Sequence, residues 1–329
     1  MRMIDFTDCD PDLAAHYGGS DAKRGIIYQG KRYMLKVSDR IPDAKRNDWN
    51  SSYTNSSFSE YIGCHVMESV GIQTQHTLLG TVSQESSSGY WKVYPVVACE
   101  NFIPEDCELV EFKVIQAALT YERPSKIPKL SDIYAIMKGE NEYFSQSFGN
   151  VALSRYWDVF IVDALLGNFD RHAYNWGYLV NKSTREISLA PVYDCGSCLY
   201  PQLTDDVLPK ILTSPDEISI RIEKFPTAAL LLENGEKASY MGYIASLENQ
   251  DCTDALLRIV PRIDINKIGE IIDGIDSLSD IRKTFYKTIL SERFERILLP
   301  PYRKVIEQDF CVSEDGVDLE GPEEYVHRM

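Results

Sequence analysis

The stretch Gly167-Asn-Phe-Asp-Arg-His-Ala-Tyr-Asn-Trp176, followed by Pro191-Val-Tyr-Asp-Cys-Gly196, limits what this chain can fold into more than any other part of it. Asp170 stands five residues before Asn175, and Asp194 opens an Asp-Cys-Gly turn further on. In that order a carboxylate, a carboxamide oxygen and a second carboxylate provide one group to orient an attacking hydroxyl and two oxygen ligands for a hard cation. Phosphoryl transfer from a nucleotide has those requirements. The three groups serve that chemistry only if the fold brings both motif halves onto one triphosphate. The flanking pattern provides the means. Ala152 to Leu166 is apolar nearly all round, as a central buried helix would be, and Trp176 to Val180 with Ile187 to Val192 reads as a short hairpin between the halves.

The rest of the chain divides by pattern. Gly25–Tyr28 and Arg32–Val37 flank the turn residues Gln29-Gly-Lys31, and Thr77–Val82 and Tyr90–Ala98 flank a polar loop, so the first hundred residues read as strand-rich. Between the two hairpins Phe58, Ile62, Val66 and Val70 recur every four residues, which predicts a helix ended by Gly71. Beyond residue 106 the pattern turns helical, with helices expected over 109–119, 130–138, 264–275 and 279–298, the last closed by Pro300-Pro301. The expectation is an α+β chain of two lobes. Residues 1–105 form a small strand-rich lobe, 106–312 a larger helical lobe, and 313–329 an acidic mobile tail.

Further residues fit the same chemistry. Lys36 ends a predicted strand, where its ammonium can neutralise nucleotide phosphates, and Glu60 on the following helix can pair with it. Gly18-Gly-Ser-Asp-Ala-Lys23 can cradle phosphate, since Gly18 and Gly19 let backbone N–H groups approach closely while Ser20 and Lys23 add donors. Glu100-Asn-Phe102 lies where an adenine would meet backbone groups between the lobes. Asn175 and Asp194 are the expected Mg²⁺ ligands, with Gly196 permitting a sharp turn that points Asp194 inward. His172 reads as a buried, hydrogen-bonded brace for the loop. Cys195-Gly-Ser-Cys198 has no second such pair to complete a zinc site.

Composition excludes other classes. A net charge of −16, from 34 basic and 50 acidic residues, disfavours nucleic acid or an anionic membrane as a partner of the whole surface. No run of about 18 apolar residues occurs and no secretory leader is visible, and eight scattered cysteines suit reduced thiols. A cytoplasmic protein is expected, with no membrane contact.

These residues resemble a family, the HipA-like serine/threonine kinases, and within it a short form. The matching stretches are Ser52-Tyr-Thr-Asn55 with Phe58-Ser-Glu-Tyr61, Leu165-Leu-Gly-Asn-Phe-Asp-Arg-His172, Asn175-Trp-Gly177, Tyr193-Asp-Cys-Gly-Ser-Cys-Leu-Tyr-Pro201, and Asp254-Ala-Leu-Leu-Arg-Ile259 with Pro261-Arg-Ile-Asp264. The resemblance implies a protein-kinase-like bilobal fold that phosphorylates Ser or Thr of a protein with ATP and Mg²⁺. It makes Asp170 the base, Asn175 and Asp194 the metal ligands, Lys36 the nucleotide lysine, and Gly18 to Lys23 the phosphate loop. Members phosphorylate a serine of that loop in themselves, which makes Ser20, the only hydroxyl residue there, the expected site. Full-length toxins of the family carry an extra N-terminal subdomain and work with an antitoxin. This chain starts only some 17 residues before Gly18, so a short form is expected. The competing expectations are a small-molecule kinase and a kinase-like toxin subunit that acts by binding.

Overall fold

The computed structural model describes residues 3–13, 23–38, 55–85, 89–120, 125–139, 141 and 143–314, with side chains through 308. Gly18, Gly19, Ser20 and the predicted tail beyond 314 lie outside the described residues.

Two short strands, β1 (Ile4–Asp5) and β2 (Asp10–Pro11), precede the first hairpin, β3 (Lys23–Tyr28) and β4 (Lys31–Val37). Gln29 and Gly30 at its turn both take left-handed φ values, 49° and 76°, as a two-residue hairpin turn requires. Helix α1 (Ser56–Ser69) follows, then the longer hairpin β5 (Thr77–Glu85) and β6 (Trp91–Glu100). These strands form one six-stranded sheet in the order β1-β5-β6-β4-β3-β2, antiparallel except where β1 runs parallel to β5. Alternation along β6 buries both faces. Val96 and Ala98 join Phe6, Ile26, Tyr33, Leu35 and Val82 on one side, while Val97 and Cys99 join the main core beneath α1.

The segment 101–106 then leads into β7 (Cys107–Glu111), α2 (Phe112–Thr120) and α3 (Leu130–Lys138). The single helix expected over 109–119 is therefore a strand followed by a helix. Leu109 and Val110 pair with Leu179 and Tyr178, and Phe112 opens the helix. A short apolar run fits either period, and the pairing partner decides.

Helix α4 (Gln146–Leu166) starts earlier than expected because Ser145 caps it, its side chain accepting the Phe148 N–H. Its second half is buried all round, with Trp157, Ile161, Val162, Ala164, Leu165 and Leu166 at 2% exposure or less. It ends at Gly167, whose φ of 64° stops the helix and turns the chain into the Asp170 segment. The expected hairpin follows as β8 (Gly177–Asn181) and β9 (Ile187–Leu189), completing a three-stranded sheet with β7.

The remaining chain is helical: α5 (Leu208–Leu212), α6 (Pro215–Ser219), α7 (Tyr240–Ser246), α8 (Gln250–Ile259), α9 (Ile265–Asp273), α10 (Asp280–Arg293) and α11 (Leu299–Glu314). Pro300 and Pro301 were expected to end a helix. They lie instead inside a run that stays helical from α10 through a wider, π-type turn at Phe294–Leu298, just ahead of the two prolines, into α11. Among the described residues, no helix is long and apolar enough to cross a membrane.

Candidate active site

Helix α1 sets the site's upper wall. Its start is tied to the chain that follows the Asp-Cys-Gly turn, as Asn55 donates its amide to the carbonyls of Pro201 and Leu203. One turn along, Glu60 and Gly63 share a face. A methyl on Gly63 would lie 2.7 Å from the Cys195 Cβ, so the absent side chain is what lets the turn approach the helix. That approach lets the Cys195 N–H reach Glu60 Oε1 at 3.0 Å. Gly63→Ala is expected to force the two apart, costing about 1–3 kcal/mol by overpacking, and to weaken nucleotide-dependent activity. Denaturant midpoints and phosphate-transfer rates measured side by side check both.

The other oxygen of Glu60 holds Lys36, with Nζ to Oε2 at 2.8 Å, and the same ammonium lies 2.9 Å from Asp194 Oδ1. Lys36 sits on β4 and Glu60 on α1, and both side chains are buried. Burial works against the Lys36 charge, yet the Asp194 and Glu60 carboxylates outweigh it and hold its pKa well above the usual lysine range. Burial likewise pushes Asp194 up, but Lys36, with help from Lys23 and Arg171, pulls it down to about 2. Lys23 itself opens β3, directly across the ladder from Lys36.

Asp194 has a left-handed φ of 58°, a conformation an aspartate tolerates better than most residues, at about 1–2 kcal/mol. The tight turn expected of Gly196 is thus made two residues earlier. Gly196 has another use, since a methyl there would meet Glu60 Oε2 at 3.1 Å.

The Asp170 loop is built on α4. Asp163, a buried charge in the last turn of the helix, accepts from Arg171 through both carboxylate oxygens, at 2.9 and 3.2 Å, and from the Asn168 amide at 3.0 Å. Asn168 in turn accepts the Asp170 N–H at 3.1 Å. Asn175 donates its amide N–H to the Asp170 carbonyl at 2.8 Å, which leaves its own side-chain oxygen for another ligand. His172 is buried; it accepts the Tyr174 N–H at Nδ1 and places Nε2 3.5 Å from Asp170 Oδ1.

Arg171 joins the two motif halves. Its Nη1 donates to the carbonyls of Asn175 (3.2 Å), Tyr193 (2.5 Å) and Asp194 (3.4 Å), and its Nη2 to the Cys195 sulfur at 3.3 Å. One guanidinium therefore carries the backbone of both expected cation ligands, Asn175 and Asp194. Sequence reasoning passed over this residue. The signal was Asp163, since a buried carboxylate in an apolar helix must have a cationic partner.

Two expected nucleotide contacts separate in the structure. Glu100 is committed to the protein. Its carboxylate meets Lys31 at 2.8 Å and His76 at 3.2 Å, its N–H donates to the His76 carbonyl, and its carbonyl accepts the Gln75 amide. Its N–H is therefore taken, while its carbonyl oxygen keeps a second lone pair for a donor. Phe102, two residues on, stacks against Tyr193 with ring centroids 5.7 Å apart. Cys195 and Cys198 are fully buried, as is Cys64 on α1, and all three are free thiols.

A family model described as the HipA-like C-terminal domain matches residues 16–248. The serine/threonine-protein kinase CtkA of Helicobacter pylori is 40% identical over 310 residues, spanning 93% of this chain and 90% of that protein. The crystal structure of a Helicobacter pylori proinflammatory kinase CtkA superposes with a TM-score of 0.83 at 38% identity, over 93% of this chain and 99% of that one. The strand-rich and helical parts are thus the two lobes of a protein-kinase-like α+β fold. A family model over most of the length, and a relative of this identity and coverage, place the chain in the HipA-like C-terminal domain family.

Proposed function

We propose that this chain is an ATP-dependent serine/threonine protein kinase. The observation that carries the reading is the single Arg171 guanidinium on which the Asn175 and Asp194 carbonyls meet, with Lys36 bound to Asp194. The activity named for the relative CtkA supports it.

Asn175 and Asp194 fit Mg²⁺. The amide nitrogen of Asn175 is engaged, so its oxygen is the free end, and Asp194 is ionised at any physiological pH. When bound, the cation neutralises phosphate charge on the nucleotide. Lys36 is held ready for the phosphates by Glu60. Asp170, whose side chain is 39% exposed, faces the acceptor and takes the proton of a Ser or Thr hydroxyl. Lys23 belongs to the phosphate loop of this reading together with Gly18, Gly19 and Ser20, and Ser20 is the site of self-phosphorylation. Phe102 and the Glu100 carbonyl are the adenine contacts in this reading. The lobe boundary falls within 101–106, between the last strand of the large sheet and β7. Seven free cysteines among the described residues support a reducing, cytoplasmic setting. An antitoxin or regulatory subunit remains an expectation of the resemblance, and no feature of the site requires one.

The test is incubation with Mg-ATP and a protein acceptor, read by intact mass and by phosphoserine and phosphothreonine mapping. Asp170→Ala is expected to lower the rate about 10²–10⁴-fold, the usual contribution of a positioned base. Phosphorylation of only a small molecule, or an Asp170→Ala variant as fast as wild type, would sink the assignment.

A further inference from the structure

Asp170 has a second neighbour besides His172. Lys126, on the stretch between α2 and α3, places Nζ 3.5 Å from Asp170 Oδ1. Its backbone is fixed there, since its carbonyl accepts the Ala173 N–H at 3.1 Å, while Lys113 donates its own N–H to the Ala173 carbonyl at 3.0 Å. The loop between His172 and Tyr174 is thus held from both sides by segments that carry lysines. The two ammonium groups differ in freedom. Lys113 lies over the Tyr174 ring at 3.5 Å and pairs with Glu111 at 3.4 Å. Lys126 has a side chain 61% exposed, and Asp170 is its ion-pair partner among the described residues.

An exposed lysine–carboxylate pair at this distance adds little to stability, so its placement is not explained by folding. Its location matters more. A base that accepts the acceptor's proton must sit beside the anion in transfer, and its own negative charge repels that anion. His172 is buried and turned into its own loop, its Nδ1 accepting the Tyr174 N–H. Lys36 is committed to Glu60 and Asp194 on the metal side. A positive charge on the acceptor side has to come from elsewhere, and Lys126 lies there on a long, loosely held stem.

We propose that Lys126 is a further catalytic residue whose ammonium moves from the Asp170 carboxylate to an oxygen of the phosphoryl group in transfer. The inference rests on the reading of Asp170 given above. The bond between the γ-phosphorus and the leaving oxygen of ADP breaks, and the bond from the acceptor oxygen to that phosphorus forms. The hydroxyl proton passes to Asp170, and Lys126 keeps its protons and makes only hydrogen bonds.

Steady-state kinetics of Lys126→Ala, Lys126→Arg, Asp170→Ala and the double alanine variant test it, with ATP affinity followed by thermal shift. Lys126→Ala is expected to lower kcat about 10²-fold, the scale for losing one donor to a developing charge, with ATP affinity unchanged. Lys126→Arg keeps the charge and should recover most of the rate. In the Asp170→Ala background the lysine loss should persist, since the two groups act on different atoms. A Lys126→Ala enzyme with wild-type kcat overturns the proposal, as does a loss that vanishes when Asp170 is absent, which would mean Lys126 acts only through Asp170. A wild type that labels no acceptor overturns the kinase reading as well, and so is distinguishable from failure of the lysine proposal alone.

Discussion

Asp194→Ala should leave a folded protein that no longer transfers phosphate. A bound cation is worth several kcal/mol to such a transition state, and each ~1.4 kcal/mol is tenfold in rate, so the expected loss is about 10³-fold or more. The fold survives because Lys36 keeps Glu60 at 2.8 Å, and Glu60 still receives the Cys195 N–H. Raising Mg²⁺ should recover little. Single-turnover rates across a Mg²⁺ titration, with circular dichroism as the folding control, read both. A variant with the wild-type Mg²⁺ response would mean that the cation binds elsewhere.

The same residue predicts a pH effect with a definite sign. Its folded pKa, about 2, lies below the ordinary aspartate value of 3.8. A depressed carboxylate contributes stability that is fully present above the unfolded value and fades as pH falls through the folded one. The stability difference between wild type and Asp194→Ala should therefore be constant above about pH 4 and shrink towards pH 2. Any loss of activity between pH 5 and 7 must come from another group.

Arg171→Ala carries the largest expected cost in stability. It strips Asp163 of its partner inside α4 and frees four further contacts at once, to Asn175, Tyr193, Asp194 and Cys195. Breaking a buried pair on one side costs about 3–5 kcal/mol, against a total stability of about 5–15 kcal/mol for a typical domain. Arg171→Ala should thus unfold at much lower denaturant and accumulate poorly. Arg171→Lys separates structure from chemistry. A lysine keeps the charge beside Asp163 but cannot also reach the carbonyls with a planar fork. That variant should fold, yet need more Mg²⁺ for half-maximal rate, because the Asn175 and Asp194 backbones are no longer anchored to one group. An unchanged Mg²⁺ requirement would show that Arg171 only supports the fold.

Much of this arrangement could be read from sequence because its motifs are local. Asp170 and Asn175 lie in one loop, and their spacing survives any packing of the lobes. The pairing of Lys36 with Glu60 was readable only as a pattern, a strand lysine followed by a glutamate on the next helix as in kinases, since a strand-borne lysine taken alone faces solvent. The helical periods of α1 and α9 and the turn at Gln29-Gly30 follow from side-chain pattern and backbone sterics. Other features had no local signature. Leu109 and Val110 became strand because Leu179 and Tyr178 offered a ladder about seventy residues away. The Glu100 N–H is closed to a base because the His76 carbonyl, on a neighbouring segment, accepts it.

The order of acid, amide and acid, the all-round apolar helix before it and the change from strand to helix pattern were written in the sequence itself, since each depends on neighbours within a turn or two. Convergence was decided only by the tertiary structure. The Arg171 guanidinium on which Asn175 and Asp194 meet, the Gly63 face that admits the Cys195 turn, and the Lys126 ammonium beside Asp170 all join residues distant in the chain. Such contacts form when packing brings buried charges and close-approaching backbones to the one place where each finds a partner.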